Sequence, residues 1–247
     1  MANTSKPTWN HAARHLAATL LLAALAILPP LSHAGLKEGS AAYAKADYAG
    51  ALKELAPLAE KGNAQAQLLL GKMNSLGQGM PQDKKEAARW FHLAAEQGLA
   101  QAQSVLGYLC LVGEGVQQNN ELALEWTRKA ALQGDANAQF NLSVMHGEPH
   151  GIRKDPAESL KWLRQAAEHG QAAALNTLGH LYEQGKGGVG RAPASAWFLI
   201  AASAEKGHGA AGEQLKKLEG QLSASELRTG RDMLKRWRSG TRLSRLL

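Results

Sequence analysis

Four features of this 247-residue chain have residue types and spacing that could do chemistry: a lone thiol, a serine near a lysine, a histidine cluster and a glycine-rich loop. Cys110 is the only cysteine, so it has no intrachain disulfide partner, and no spacing argument joins it to a histidine as a nucleophilic pair. Ser203 and Lys206 have the S-x-x-K form of a serine nucleophile with a lysine beside it, but the companion S-D-N is missing. His146, Glu148 and His150 offer two imidazoles and a carboxylate, the ligand types that zinc prefers. Three ligands crowded around Pro149, with no fourth in view, make a poor metal loop. Gly185 to Gly190 satisfies G-x-G-x-x-G, yet a dinucleotide fold needs a strand before that loop and a helix directly after it. Here the preceding segment reads as helix. The expectation is therefore a protein with no catalytic residues, no metal and no cofactor, and not an enzyme.

The elements around these residues keep a regular clock. EKGNAQAQLLLG, EQGLAQAQSVLG, LQGDANAQFNLS and EHGQAAALNTLG begin around Gly62, Gly98, Gly134 and Gly170, which are 36 residues apart. A weaker copy follows at Gly207. Trp90, Trp126 and Trp162 keep the same spacing, Trp197 is one residue short, and each precedes an Ala-Ala pair. Each unit reads as two helices. The first runs from about Asn63 to Leu76 and ends at the glycine pair Gly77 and Gly79, with sister pairs at Gly113/Gly115 and Gly185/Gly187 and a less regular run from Gly147 to Gly151. The second opens at Asp83, Asn119 or Asp155; Asp83 with Glu86 and Asp155 with Glu158 match a capping box. Gly71, Gly107 and Gly179 recur in mid-helix, where glycine costs about 1 kcal/mol against alanine, so close helix contact must offset that cost. Cys110 falls at the unit position of Asn74, His146 and Tyr182, and the glycine-rich loop is one of the unit's own turns.

These in-phase anchors resemble the Sel1-like repeat family, relatives of tetratricopeptide repeats whose units carry A-x-A-Q-x-x-L-G, a G-x-G loop and A-x-x-W-x-x-x-A-A-x-x-G. The resemblance covers about residues 36–238. It implies an all-α, right-handed α-α superhelix of about five helix-turn-helix repeats of 36 residues. The expected layout is an opening hairpin over 35–62, repeats over 63–207, capping helices over 208–238 and a basic tail over 239–247. It also implies an adaptor, scaffold or regulator that holds another protein or peptide on a concave face lined by the first helix of each unit. With Gly71 as reference, the expected outward stripe is Gln65, Leu68, Lys72 and Ser75. The next units give Gln101, Ser104, Tyr108 and Leu111, then Asn137, Phe140 and Val144, then Asn176, His180 and Glu183. Tyr108 and Phe140 are the expected anchors. Cysteine-rich relatives are associated with β-lactam chemistry, and an enzyme acting on cell-wall or β-lactam substrates is the alternative class, with a passive envelope protein as a third. This chain lacks the paired cysteines of those relatives.

Residues 1–34 contain no acidic residue. They carry Lys6 and Arg14, then an apolar run over 16–28, then Pro29 and Pro30 and the small-residue pattern Ser32-His33-Ala34. A run of this length falls short of the roughly 20 residues of a membrane-spanning helix, and the segment reads as a secretory signal cut after Ala34. The protein is then expected in the periplasm or secreted, with no transmembrane segment after signal removal. Of the net charge of +7, the signal holds +2 and residues 228–247 hold +6, leaving about −1 for the body. The high pI belongs to the tail, which argues against nucleic acid as partner and leaves a weak contact of the tail with an acidic partner or membrane surface.

Overall fold

The computed structural model describes residues 31–147 and 153–247, with side chains from residue 35 onward, and the described residues form twelve α-helices and no strand. They pair as successive hairpins. The first is α1 (Leu31–Ala44) with α2 (Tyr48–Glu60), then α3 (Ala64–Leu76) with α4 (Lys84–Glu96), and α5 (Ala100–Val112) with α6 (Asn120–Leu132). The series continues with α7 (Ala136–Gly147) and α8 (Pro156–Glu168), and α9 (Ala172–Gln184) and α10 (Pro193–Glu205); α11 (Ala211–Glu219) and α12 (Ala224–Arg238) close the stack, both packing on α10 more closely than on each other. From α1 to α11 each helix packs on the next in the chain, and α12 packs back on α10, so the pairs stack as a solenoid. The expected signal lies mostly outside the described residues, and Ala34 falls within the first turn of α1.

Side chains start and stop these helices as the spacing predicts. Asn63, Asn119 and Asp155 each accept a backbone N–H of the helix they precede, and Asp83 Oδ1 accepts from both Lys85 N and Glu86 N. The expected capping boxes are only half formed. Glu86 turns to Arg89 and Glu158 to Lys161, three residues along their own helices, where opposite charges meet. A complete box forms instead at Ser223, whose hydroxyl accepts from Glu226 N while Glu226 accepts from Ser223 N. Both Glu158 and Glu226 carboxyls lie below their ordinary pKa, held down first by their hydrogen bonds to Lys161 and Ser223.

The mid-helix glycines are contact points. A side chain at Gly71 would strike the Phe91 ring, one at Gly107 the Thr127 side chain and backbone, and one at Gly179 Ile200. The hairpin partners therefore close to backbone contact. Trp90, Trp126, Trp162 and Trp197 are buried within the stack, with Arg89 4.1 Å from the Trp90 ring centre and Lys129 4.2 Å from that of Trp126. The tail after α12 is not loose. Leu243 is buried, Trp237 meets Phe198 edge-on at 6.2 Å, and a closing 3₁₀ turn at Leu243–Arg245 reaches back to α8.

Candidate functional site

The exposed stripe of the first helices keeps Gln65, Lys72, Gln101, Tyr108, Asn137, Val144 and His180 of the expected one, and its other positions shift by one residue. Leu68 and Ser104 are buried, and Asn176 is only 8% exposed, so these positions face the interior. The surface runs instead through i, i+4, i+7 and i+11: Gln65, Leu69, Lys72 and Leu76 in α3, then Gln101, Val105, Tyr108 and Val112 in α5. It continues through Asn137, Asn141 and Val144 in α7 and Ala173, Thr177, His180 and Gln184 in α9. Leu69 is buried, and the other positions are half-buried to exposed. Leu76, Tyr108 and Val112 are 63%, 50% and 46% exposed. Among the described stripe residues Lys72 alone has a fixed charge. His180 accompanies Glu183 at 3.0 Å, one turn away on the half-buried flank.

Phe140 does not stand out in solvent. It is half-buried and, with Val144, Leu160 and Leu181, lines a largely apolar cavity of about 350 Å³ between α7, α8 and α9. Of the two expected aromatic anchors, Tyr108 projects and Phe140 forms a wall.

The second helices carry the charges. Arg89 pairs with Glu86, Lys129 with Glu125 and Lys161 with Glu158, all at half-exposed positions where such pairs contribute at most about 1 kcal/mol. Three second helices thus carry self-paired charges, although Leu122 and Leu132 of α6 are exposed among them, while the stripe of the first helices is nearly uncharged.

Sequence reasoning did not assign a role to the glutamine of A-x-A-Q. Gln67, Gln103 and Gln139 are buried, and each donates Nε2–H to the carbonyl of Ala59, Ala95 or Ala131 near the end of the preceding helix, at 3.0 to 3.1 Å. Their Oε1 atoms meet Gln97, Gln133 and His169 from the following helix, at 2.7 to 2.8 Å. Each glutamine therefore ties three consecutive helices and adds a second donor to a helix-end carbonyl that already accepts the backbone N–H of Gly62, Gly98 or Gly134. The signal was present in the 36-residue phase of the glutamines. In the next unit Leu175 takes the position, and Ser203 Oγ donates to Ala172 O at 2.7 Å.

That bond gives the S-x-x-K serine a structural role: it is fully buried, and Lys206 lies over Trp237 at 5.4 Å. Cys110 is buried, and burial pushes its thiol above the ordinary value, which disfavours the reactive thiolate. Gly185, Gly187 and Gly188 have positive φ in a turn that follows a helix. Glu148 and His150 lie outside the described residues; His146 is buried with both ring nitrogens unpartnered among those described. Among the described residues no cluster of three His, Cys, Asp or Glu could hold a metal, and no helix is long and apolar enough to cross a membrane.

The Sel1 repeat family matches four successive segments, residues 64–99, 100–135, 136–171 and 172–208. A Sel1 repeat protein from Oxalobacter formigenes is 32% identical over 74% of each chain, with a TM-score of 0.67. The structure of c5321, a protective antigen of uropathogenic Escherichia coli strains displaying an SLR fold, is 40% identical over 69% of this chain but only 36% of that one, with a TM-score of 0.61. A putative Sel1 repeat protein from Klebsiella pneumoniae subsp. pneumoniae shares the fold at 18% identity and a TM-score of 0.52, over 76% of this chain and 93% of that one. No curated protein matches significantly.

Proposed function

The chain belongs to the Sel1 repeat family, a scaffold fold that generally mediates protein–protein contacts, and from that premise we propose that it is an adaptor whose neutral stripe holds one protein partner. The observation that carries this reading is Tyr108. It stands half-exposed between half-buried Val105 and exposed Val112, with Leu76 exposed at the matching position of the unit before. Leu76, Tyr108 and Val112 belong to none of the buried clusters, and burying them against a partner is favourable at about 25 cal/mol per Å². The scarcity of charge on the stripe favours a partner segment that is itself apolar and uncharged, because a carboxylate or ammonium buried there would lack a counter-ion.

A photo-crosslinking residue placed at position 108 tests this in the native compartment. One defined protein adduct is expected, with none from the same residue at Glu125 on the charged side. Tyr108→Ala combined with Val112→Ser should then weaken binding of that protein at least about tenfold while far-UV circular dichroism stays unchanged. Unaltered binding would remove the stripe from the function. Phe140→Ala is the poorer probe, since its ring also supports the packing around α9.

We further propose that the protein is exported and acts in the envelope or outside the cell. The support is the basic, then apolar, then small-residue order of residues 1–34. Mass spectrometry of protein from the periplasmic fraction should give a chain beginning at Gly35; an intact N-terminus in the cytosol would refute export. The cationic α12 and tail favour acidic partners or anionic surfaces nearby, an attraction that added salt screens.

A further inference from the structure

We propose that the half-open cleft between the end of α8 and the C-terminal tail is a binding site for a small carboxylate with an apolar body. The cavity measures about 860 Å³, within the range of small-molecule sites. None of the stripe residues line it, so the proposal stands apart from the groove reading. Its walls come from three places in the sequence: Arg164, Glu168 and His169 at the end of α8, Tyr182 of α9, and Arg242 and Leu243 of the tail.

The tail brings the two arginines to one space. Burial of Leu243 pins the segment that carries Arg242, and its 3₁₀ turn rests on α8, which carries Arg164. Three nearby cations are already engaged, while Arg245, in the same turn as Leu243, has no salt bridge or side-chain hydrogen bond among the described residues. Arg238 pairs with Glu205, Arg236 lies 4.0 Å from Asp232, and Arg231 sits over Trp197. Arg164 and Arg242 have neither a salt bridge nor a hydrogen bond among the described residues. Two exposed guanidinium groups facing one cleft make it electropositive, and a carboxylate matches the paired N–H geometry of either.

The remaining lining defines the rest of the ligand. Leu243, Leu247 and the largely buried Tyr182 supply apolar surface for a hydrocarbon or aromatic group. His169 is held in place: Gln139 spends its amide hydrogen on Ala131 O, so its Oε1 accepts, and His169 Nδ1 is the donor at 2.8 Å. That leaves His169 Nε2 as the ring's second polar atom. Glu168, the one acidic side chain in the lining, biases the anion toward the arginines and away from the helix end, whose carbonyls are also negative.

The probes are N-acetyl-phenylalanine, its uncharged amide and inorganic phosphate, titrated into the purified protein by calorimetry and by amide chemical shifts. The acid should bind saturably, with the amide and phosphate each at least tenfold weaker. Arg164→Gln and Arg242→Gln should each weaken the acid about tenfold. Arg164→Gln changes only an exposed position on α8, so it reads the site without touching the tail. A short peptide ending in a free phenylalanine distinguishes the ligand's source: tighter binding than the acid assigns the site to a chain terminus, and weaker binding assigns it to free small acids. Absence of saturation by the acid up to millimolar concentration, equal binding of amide or phosphate, or a double Gln variant that binds as the parent does would overturn the proposal.

Discussion

Gly115→Ala should be among the most damaging single-methyl additions in the stack, lowering stability by roughly 3 kcal/mol or more in chemical or thermal denaturation. Gly115 has φ of +73°, so any side chain there incurs the left-handed penalty of about 1–2 kcal/mol. The larger effect is steric. A Cβ at this position would overlap the backbone carbonyl of Lys84, and its next contact is Lys84 C at 2.7 Å. Backbone at the first residue of α4 cannot step aside as a flexible side chain would, and the same loop is held to Lys84 by Glu114 at 3.2 Å. Gly98→Ala is the matched control. Its φ of +86° gives a similar conformational penalty, but nothing lies within 4 Å of the added methyl, so a loss of only about 1 kcal/mol is expected. Equal losses from the two variants would show that the G-x-G loop does not seat on the preceding unit.

The second large effect concerns the buried glutamines. Gln103→Leu keeps most of the side-chain volume but removes the donor to Ala95 O and the acceptor for Gln133. Ala95 O keeps its backbone donor Gly98 N, so the loss is that of two side-chain hydrogen bonds at about 0.5–1.5 kcal/mol each, and a destabilisation of roughly 1–2 kcal/mol is expected. Gln101→Leu, two residues away on the exposed stripe, should change stability by no more than about 0.5 kcal/mol. A Gln103→Leu protein as stable as the parent would mean that the polar tie adds nothing to the packing.

Much of this architecture was legible in the residues because each unit repeats the same physical solutions in phase. Caps at Asn63, Asp83, Asn119 and Asp155, glycine stops at 77, 113 and 185, and glycines at close approaches all carry local causes, and local causes are readable from spacing. The phase of the exposed stripe was less legible. Around Gly71, residues three and four positions apart are both neighbours on one helix face, and the choice between Leu68 and Leu69 as centre depends on how the adjoining helices flank α3. The structure buries both, while Leu76 emerges where Ser75 was expected to lead. Phe140 shares the unit position of Leu68, so its partial burial follows from the unit's geometry and its cavity from the neighbouring α9. The Arg164–Arg242 cavity had no local signature at all: those residues lie in separate elements and meet only because the tail folds back.

The glutamine rungs also bear on how the solenoid responds to force. Three joints along the array, at α2–α3, α4–α5 and α6–α7, carry the same polar tie, whereas at the α8–α9 joint Leu175 takes the glutamine's place, and the Ser203 hydroxyl joins α10 to α9 instead. Across that joint the buried side chains from Leu163 of α8 to Leu243 form one continuous core, while the earlier units divide theirs among smaller clusters. A stretched or twisted array of this kind is a spring of uneven stiffness: the N-terminal coils yield one at a time, each against a similar resistance, and the C-terminal block moves as a single rigid anchor.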